Sequence, residues 1–107
     1  MPKHVSVDSL RHAVRRLLAF GAPTLQRAAY ALDVSPRTLQ RRLAEANLSY
    51  SEIVEQVRLE QARQLLGDSE QPVGAIARAL GYTDAGSFTR AFERWTGMAP
   101  RDFRRQH

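Results

Sequence analysis

A chain of 107 residues with 43% hydrophobic and 25% charged residues has the composition of a folded globular domain, not of a disordered tail. It contains no cysteine, so neither a disulfide framework nor a thiolate metal site can brace it, and folding must rest on core burial. Its net charge of +5 favours polyanionic partners, nucleic acid first; an anionic membrane would need a broad apolar helix face, and none is left over once a core is built. No alternating β-branched run flanked by hairpin turns occurs, so the expectation is an all-α fold. Residues 1–6 read as a loose lead-in. From Val7 to Phe20, Leu10, Val14, Leu17 and Leu18 recur at helical spacing until Gly21 and Pro23 stop them. Thr24 caps a short helix with Leu25, Ala28, Ala29 and Leu32 facing in, and Asp33-Val34 makes a tight turn.

Ser35 then caps, and Pro36 opens, a helix expected to run to about Ala46 and stop at Asn47. Leu39, Leu43 and Ala46 make its apolar face; Arg37, Gln40, Arg41 and Ala44 occupy the opposite one. Arginine and glutamine in that register can form paired hydrogen bonds to guanine and adenine edges in a major groove. A merely solvated helix face is the simpler alternative.

A longer helix is expected from about Ser51 to Leu66. Ile53, Val54 and Val57 cluster near its start; Leu59, Ala62, Leu65 and Leu66 cluster near its end, rotated about the axis, which suggests a strut serving two cores. Glu52, Glu55 and Glu60 read as its solvated face, and Gly67-Asp68-Ser69 as its break. Pro72 starts a short helix with Val73, Ile76, Ala77 and Leu80 inward, followed by a Gly81-Tyr82 turn. Asp84 caps the next helix, with Phe88, Ala91, Phe92 and Trp95 inward, and Gly97 ends it. Pro100 begins a last turn whose Phe103 packs under the second core.

The chain repeats itself. Ala29-x-x-Leu32 matches Ala77-x-x-Leu80, each before a two-residue turn, and Leu39-Gln40-Arg41-Arg42-Leu43 matches Phe88-Thr89-Arg90-Ala91-Phe92. Short helix, tight turn and longer helix make the helix-turn-helix pattern, present twice with its polar face in one register. On these residues the chain resembles the DNA-binding region of the AraC/XylS family of bacterial transcription regulators. The resemblance rests on Ile76-Ala77-Arg78-Ala79-Leu80-Gly81-Tyr82, on Ser87-Phe88-Thr89-Arg90-Ala91-Phe92-Glu93-Arg94-Trp95-Thr96-Gly97, on Ala99-Pro100 and Phe103-Arg104, and on Leu32 to Leu43 in the first unit. It covers about residues 10 to 105.

The resemblance implies seven helices: a first helix-turn-helix subdomain at 7–50, a linker helix at 51–66 and a second subdomain at 67–106. The second helix of each subdomain would enter one of two successive major grooves of double-stranded DNA. Carried over by position, the base-reading candidates are Arg37, Gln40 and Arg41, then Ala85, Gly86, Thr89 and Arg90; the phosphate contacts are Ser35, Thr38, Arg42, Ser87, Arg94 and Arg101. Ala85 and Gly86 depart from what a strong reader would carry, so the first unit is expected to do most of the reading. Asp33 stands where glycine is common, a change that Asp tolerates.

Other readings are narrower. Phe88, Phe92, Trp95 and Phe103 at helical spacing read as core before they read as a base-stacking platform. Tyr30 and Tyr50 are expected against the long helix. His4, His12 and His107 lack metal-ligand spacing, no catalytic constellation occurs, and no cofactor is expected. Arg101, Arg104 and Arg105 read equally as phosphate contacts or a solvated tail. The expectation is a cytoplasmic, non-enzymatic promoter binder, monomeric as an isolated domain, with RNA polymerase and an N-terminal sensing domain as further partners and no membrane association. The Ser35–Leu43 wording resembles members with a large sensing domain, so a fragment is expected. A helical protein-interaction module and a nonspecific architectural DNA binder are the alternatives.

Overall fold

A computed structural model describes residues 6–106, which form seven α-helices and no strand. These are α1 (Val7–Leu18), α2 (Leu25–Ala31), α3 (Pro36–Glu45), α4 (Tyr50–Asp68), α5 (Val73–Ala79), α6 (Ala85–Thr96) and α7 (Pro100–Arg105). Of the expected lead-in only Ser6 is described, and it is not loose: its hydroxyl accepts from the Ser9 N–H at 3.0 Å while the Ser9 hydroxyl takes the Ser6 N–H, a closed capping box. His4 and His107 lie outside the described residues.

Contacts divide the chain into two compact units, with the division between Val57 and Arg58 inside α4. In the first unit, Leu10 and Val14 of α1, Ala28 and Ala29 of α2, Leu39 and Leu43 of α3, and Ile53, Val54 and Val57 of α4 share one buried cluster. Tyr50 is pinned against it by a hydrogen bond from its hydroxyl to the Pro23 carbonyl at 2.7 Å, and Arg11 donates to Gln56. In the second unit, Ala62 and Leu66 of α4 join Ile76, Ala77, Leu80, Phe88 and Phe92. Its rings run in sequence, Tyr82 to Phe88 at 5.6 Å, Phe88 to Phe92 at 5.8 Å and Phe92 to Phe103 at 5.5 Å between centroids. The Arg58 guanidinium lies 5.2 Å from the Tyr82 ring centre.

Both short helices end in the same way. At α2 the Val34 N–H bonds the Ala29 carbonyl at 3.0 Å and the Asp33 N–H bonds Tyr30; at α5 the Tyr82 N–H bonds Ala77 at 2.9 Å and the Gly81 N–H bonds Arg78. This paired closure requires a left-handed residue at the stop, and Asp33 (φ 59°) and Gly81 (φ 92°) supply it. The end of α3 repeats the device, with Leu48 bonding Leu43, Asn47 bonding Ala44 and Asn47 at φ 58°.

Several expectations are corrected. α1 ends at Leu18, leaving Phe20 84% exposed. Ala46 is exposed, because α3 closes at Glu45 and Ala46 is already its cap. Tyr30 is 88% exposed: Ala28 and Ala29 set the inner face of α2, and the next residue is carried outward. Trp95 is only half-buried and lies outside the second cluster. Gly67 does not break α4, which runs on through Asp68. The stop is made instead by Ser69, whose hydroxyl donates to the Leu65 carbonyl at 2.7 Å, and by Arg104, whose guanidinium donates to Leu66 at 3.1 Å and Ser69 at 3.2 Å. Four orphan carbonyls end any helix, and a charged donor from α7 serves this end.

The matched stops generate opposite expectations. Asp33→Gly relieves a left-handed backbone and should raise stability, whereas Gly81→Ala imposes strain and brings a Cβ to 3.3 Å from the Arg58 guanidinium. Changes of about 1 kcal/mol in each direction are expected, read as shifts of the urea unfolding midpoint.

Candidate nucleic-acid interface

The exposed face of α3 is fixed by what the helix buries. Leu39 and Leu43 are packed into the first core, so Arg37, Gln40 and Arg41 stand on the opposite face, and all three are exposed. The start of the helix is held by Ser35, whose hydroxyl accepts from the Thr38 N–H at 3.0 Å and donates to the Thr38 hydroxyl at 2.9 Å. Pro36 takes the first helical position, where no N–H is missed. Arg41 comes within 3.9 Å of Glu45, an exposed pair of the kind worth little and easily exchanged for another anion.

Arg42 is placed differently from the other candidates. It is half-buried, lining a small cavity of about 70 Å³ with Leu10, Leu39 and Leu43, and its Nε is buried without a hydrogen-bond partner among the described residues.

On α6, Phe88, Ala91 and Phe92 are buried; Ala85, Gly86 and Arg90 are exposed and Thr89 is half-buried. Asp84 caps this helix, accepting the Ser87 N–H at 2.7 Å. That bond, seconded by the Ser87 hydroxyl and by Arg90, holds the Asp84 carboxyl below the ordinary value of 3.8. Arg90 lies back toward the cap, its Nη2 3.4 Å from the Ser87 hydroxyl. Arg94 and, on α7, Arg101 are exposed. Arg104 serves the end of α4, and Arg105 pairs with Asp102 at 3.1 Å.

Each unit thus carries one cluster of candidates: Arg37, Gln40 and Arg41 on one face of α3, and Gly86, Thr89 and Arg90 on one face of α6. The association of Asp84 with Arg90 was not anticipated. A helix-cap signal marks Asp84 in the sequence, but only the absence of a side chain at Gly86 lets both charged groups approach the same place. Among the described residues no three His, Asp or Glu side chains gather as a metal site, and no helix is long and apolar enough to cross a membrane.

Two units of one build, each with a left-handed stop and a capped second helix presenting a polar face, define a tandem helix-turn-helix DNA-binding domain. Residues 28–106 match a family model described as a helix-turn-helix domain. The chain belongs to this family, the AraC-type helix-turn-helix transcription regulators. An ornithine utilization regulator of Pseudomonas aeruginosa is 38% identical over 100 residues, 91% of this chain and 30% of that protein. The crystal structure of the transcriptional regulator CdpR from Pseudomonas aeruginosa superposes with a TM-score of 0.74 at 39% identity, covering 90% of this chain and 31% of that one. A DNA-binding transcriptional dual regulator from Escherichia coli K-12 gives a TM-score of 0.85 at 26% identity, covering 94% of this chain and 96% of that one. The chain spans about a third of the length of the two Pseudomonas proteins.

The lowered pKa of Asp84 carries a sign. A carboxyl depressed by folding contributes stability above its unfolded value, and that contribution is lost as pH falls through the folded one. Urea midpoints of the wild type and of Asp84→Asn, which keeps a capping side chain, should therefore converge as pH falls below 3.8. A gap that stays constant through that range would exclude a charge effect.

Proposed function

We propose that this chain binds double-stranded DNA sequence-specifically as the DNA-reading domain of a bacterial transcription regulator, with α3 and α6 in successive major grooves. The exposed face of α3 carries the reading: Arg37, Gln40 and Arg41 are the side chains suited to guanine and adenine edges, on a helix whose rotation is set by two buried leucines. In this reading Arg37, Gln40 and Arg41 supply most of the base contacts. Ala85, Gly86, Thr89 and Arg90 on α6 supply fewer, since only two of them have hydrogen-bonding side chains.

Ser35, Thr38, Ser87, Arg94 and Arg101, with the backbone amides at the starts of the two helices, contact phosphates and position the domain. Arg42 reaches a phosphate only by leaving its half-buried seat. The chain works where the bacterial chromosome lies, in the cytoplasm. It binds DNA as a monomer when isolated, and in the intact protein it is coupled to an N-terminal sensing domain and acts on RNA polymerase. The composition and family supply no reason to assign it a reaction.

Selection of bound sites from a random duplex pool tests the reading. One asymmetric site with two preferred blocks about a helical turn apart is expected; sequence-blind binding would point to an architectural role instead. Against the selected site, Arg41→Ala should lose about 1–3 kcal/mol of discrimination at one base pair of the first block. Arg101→Ala should weaken binding to all sequences alike and lower the salt slope by about 1. If Arg41→Ala and Arg90→Ala cost equal discrimination at their two blocks, the dominance of the first unit is lost.

A further inference from the structure

α3 and α6 can be compared position by position, because Leu39 matches Phe88 and Leu43 matches Phe92. The cap Ser35 then corresponds to Asp84, Arg37 to Gly86 and Arg41 to Arg90. At the second exposed position α3 has an arginine and α6 has nothing beyond its α-carbon.

The space above Gly86 is nevertheless occupied. A Cβ built there would stand 3.3 Å from the Asp84 Oδ1 and 3.4 Å from the Arg90 Nη1. Both charged groups therefore lie within contact distance of the place a side chain at 86 would take. Helical side chains lean toward the N-terminus, so a residue four positions on covers this patch when nothing competes for it. Arg41 in the first unit, with Arg37 ahead of it, comes instead within 3.9 Å of Glu45, toward the C-terminus of α3. A guanidinium at a helix N-terminus meets the unfavourable end of the helix dipole, and the Asp84 carboxylate offsets it. Consistent with this, Arg90 is among the groups that keep Asp84 acidic, after the Ser87 hydrogen bonds.

We propose that Gly86 and Asp84 are positioning residues for base readout: the bare α-carbon of one and the carboxylate of the other hold the Arg90 guanidinium over the first turn of α6. Arg90 then reads the base pair that a side chain at position 86 would meet. The second unit replaces the arginine it lacks at 86 with one sent back from position 90. The inference rests on the reading that α6 enters a major groove.

The test uses the 107-residue chain, sites it selects from a random duplex pool, and single-base variants of those sites. Gly86→Ala crowds the guanidinium and Gly86→Leu takes its place, while both improve the helix. The expected result has opposite signs: a higher urea midpoint, with discrimination at one base pair of the second block falling in the order wild type, Ala, Leu. Full loss of a two-bond contact corresponds to about 5- to 150-fold. Asp84→Asn keeps a cap, frees Arg90 and removes a negative charge, so it should lose preference at the same base pair while binding unrelated duplex more tightly. A role confined to folding would move stability alone. If the wild type selects a two-block site and both Gly86 variants discriminate as it does, this inference fails and the DNA-reading function stands. If the wild type selects no site, the function fails and takes the inference with it.

Discussion

The direction in which α3 and α6 leave their turns depends in each unit on a single left-handed residue. α2 and α5 are seven residues each, shorter than any helix stable alone in water, and they persist through tertiary packing and closed ends. Ala28, Ala29 and Ala77 are fully buried where neighbouring helices come close, and the carbonyls of Ala29 and Ala77 receive the bonds that close the turns. Asp33 and Gly81 make that closure possible. With the turns fixed, burial of Leu39 and Leu43, or of Phe88 and Phe92, sets the rotation of the second helix. Everything exposed on α3 and α6 follows from those two constraints.

α4 meets a different demand. It supplies Ile53, Val54 and Val57 to one core and Ala62 and Leu66 to the other, so its buried positions form no single stripe. Such a helix cannot be held by one amphipathic face. Its first residue, Tyr50, is bonded to the loop before α2, and its last turn is served by Ser69 and Arg104. Each unit secures its own portion.

What could be read from the sequence was mostly local. Caps at Thr24, Ser35 and Asp84, the stops at Asn47 and Gly97, and the core leucines and phenylalanines all act within a few residues of their own positions, so residue type and spacing reveal them. Gly67 misled because propensity is a weak local preference, and a donor 38 residues beyond Leu66 serves the helix end. Arg58 against Tyr82 is equally nonlocal, and no spacing rule connects them. At the candidate site, exposure was legible as the complement of the core. The course of a long side chain was not: Arg42 turns partly inward, Arg41 comes near Glu45, and Arg90 turns back toward Asp84, each according to what space its neighbours leave.

The two units therefore share a frame and differ in chemistry. Stop, cap and core occupy one set of positions and carry the fold; 37, 40 and 41 in one unit, and 86, 89 and 90 in the other, lie outside that set. A change at the second set leaves the first intact, so a family of regulators can alter what it reads without rebuilding what holds it. Position 84 is the exception, because it belongs to both sets. As a cap it must accept the Ser87 N–H, which Ser, Thr, Asn or Asp can do. Only Asp also brings a charge beside Arg90. The choice among capping residues thereby also becomes a choice about how an arginine four residues beyond a glycine is held.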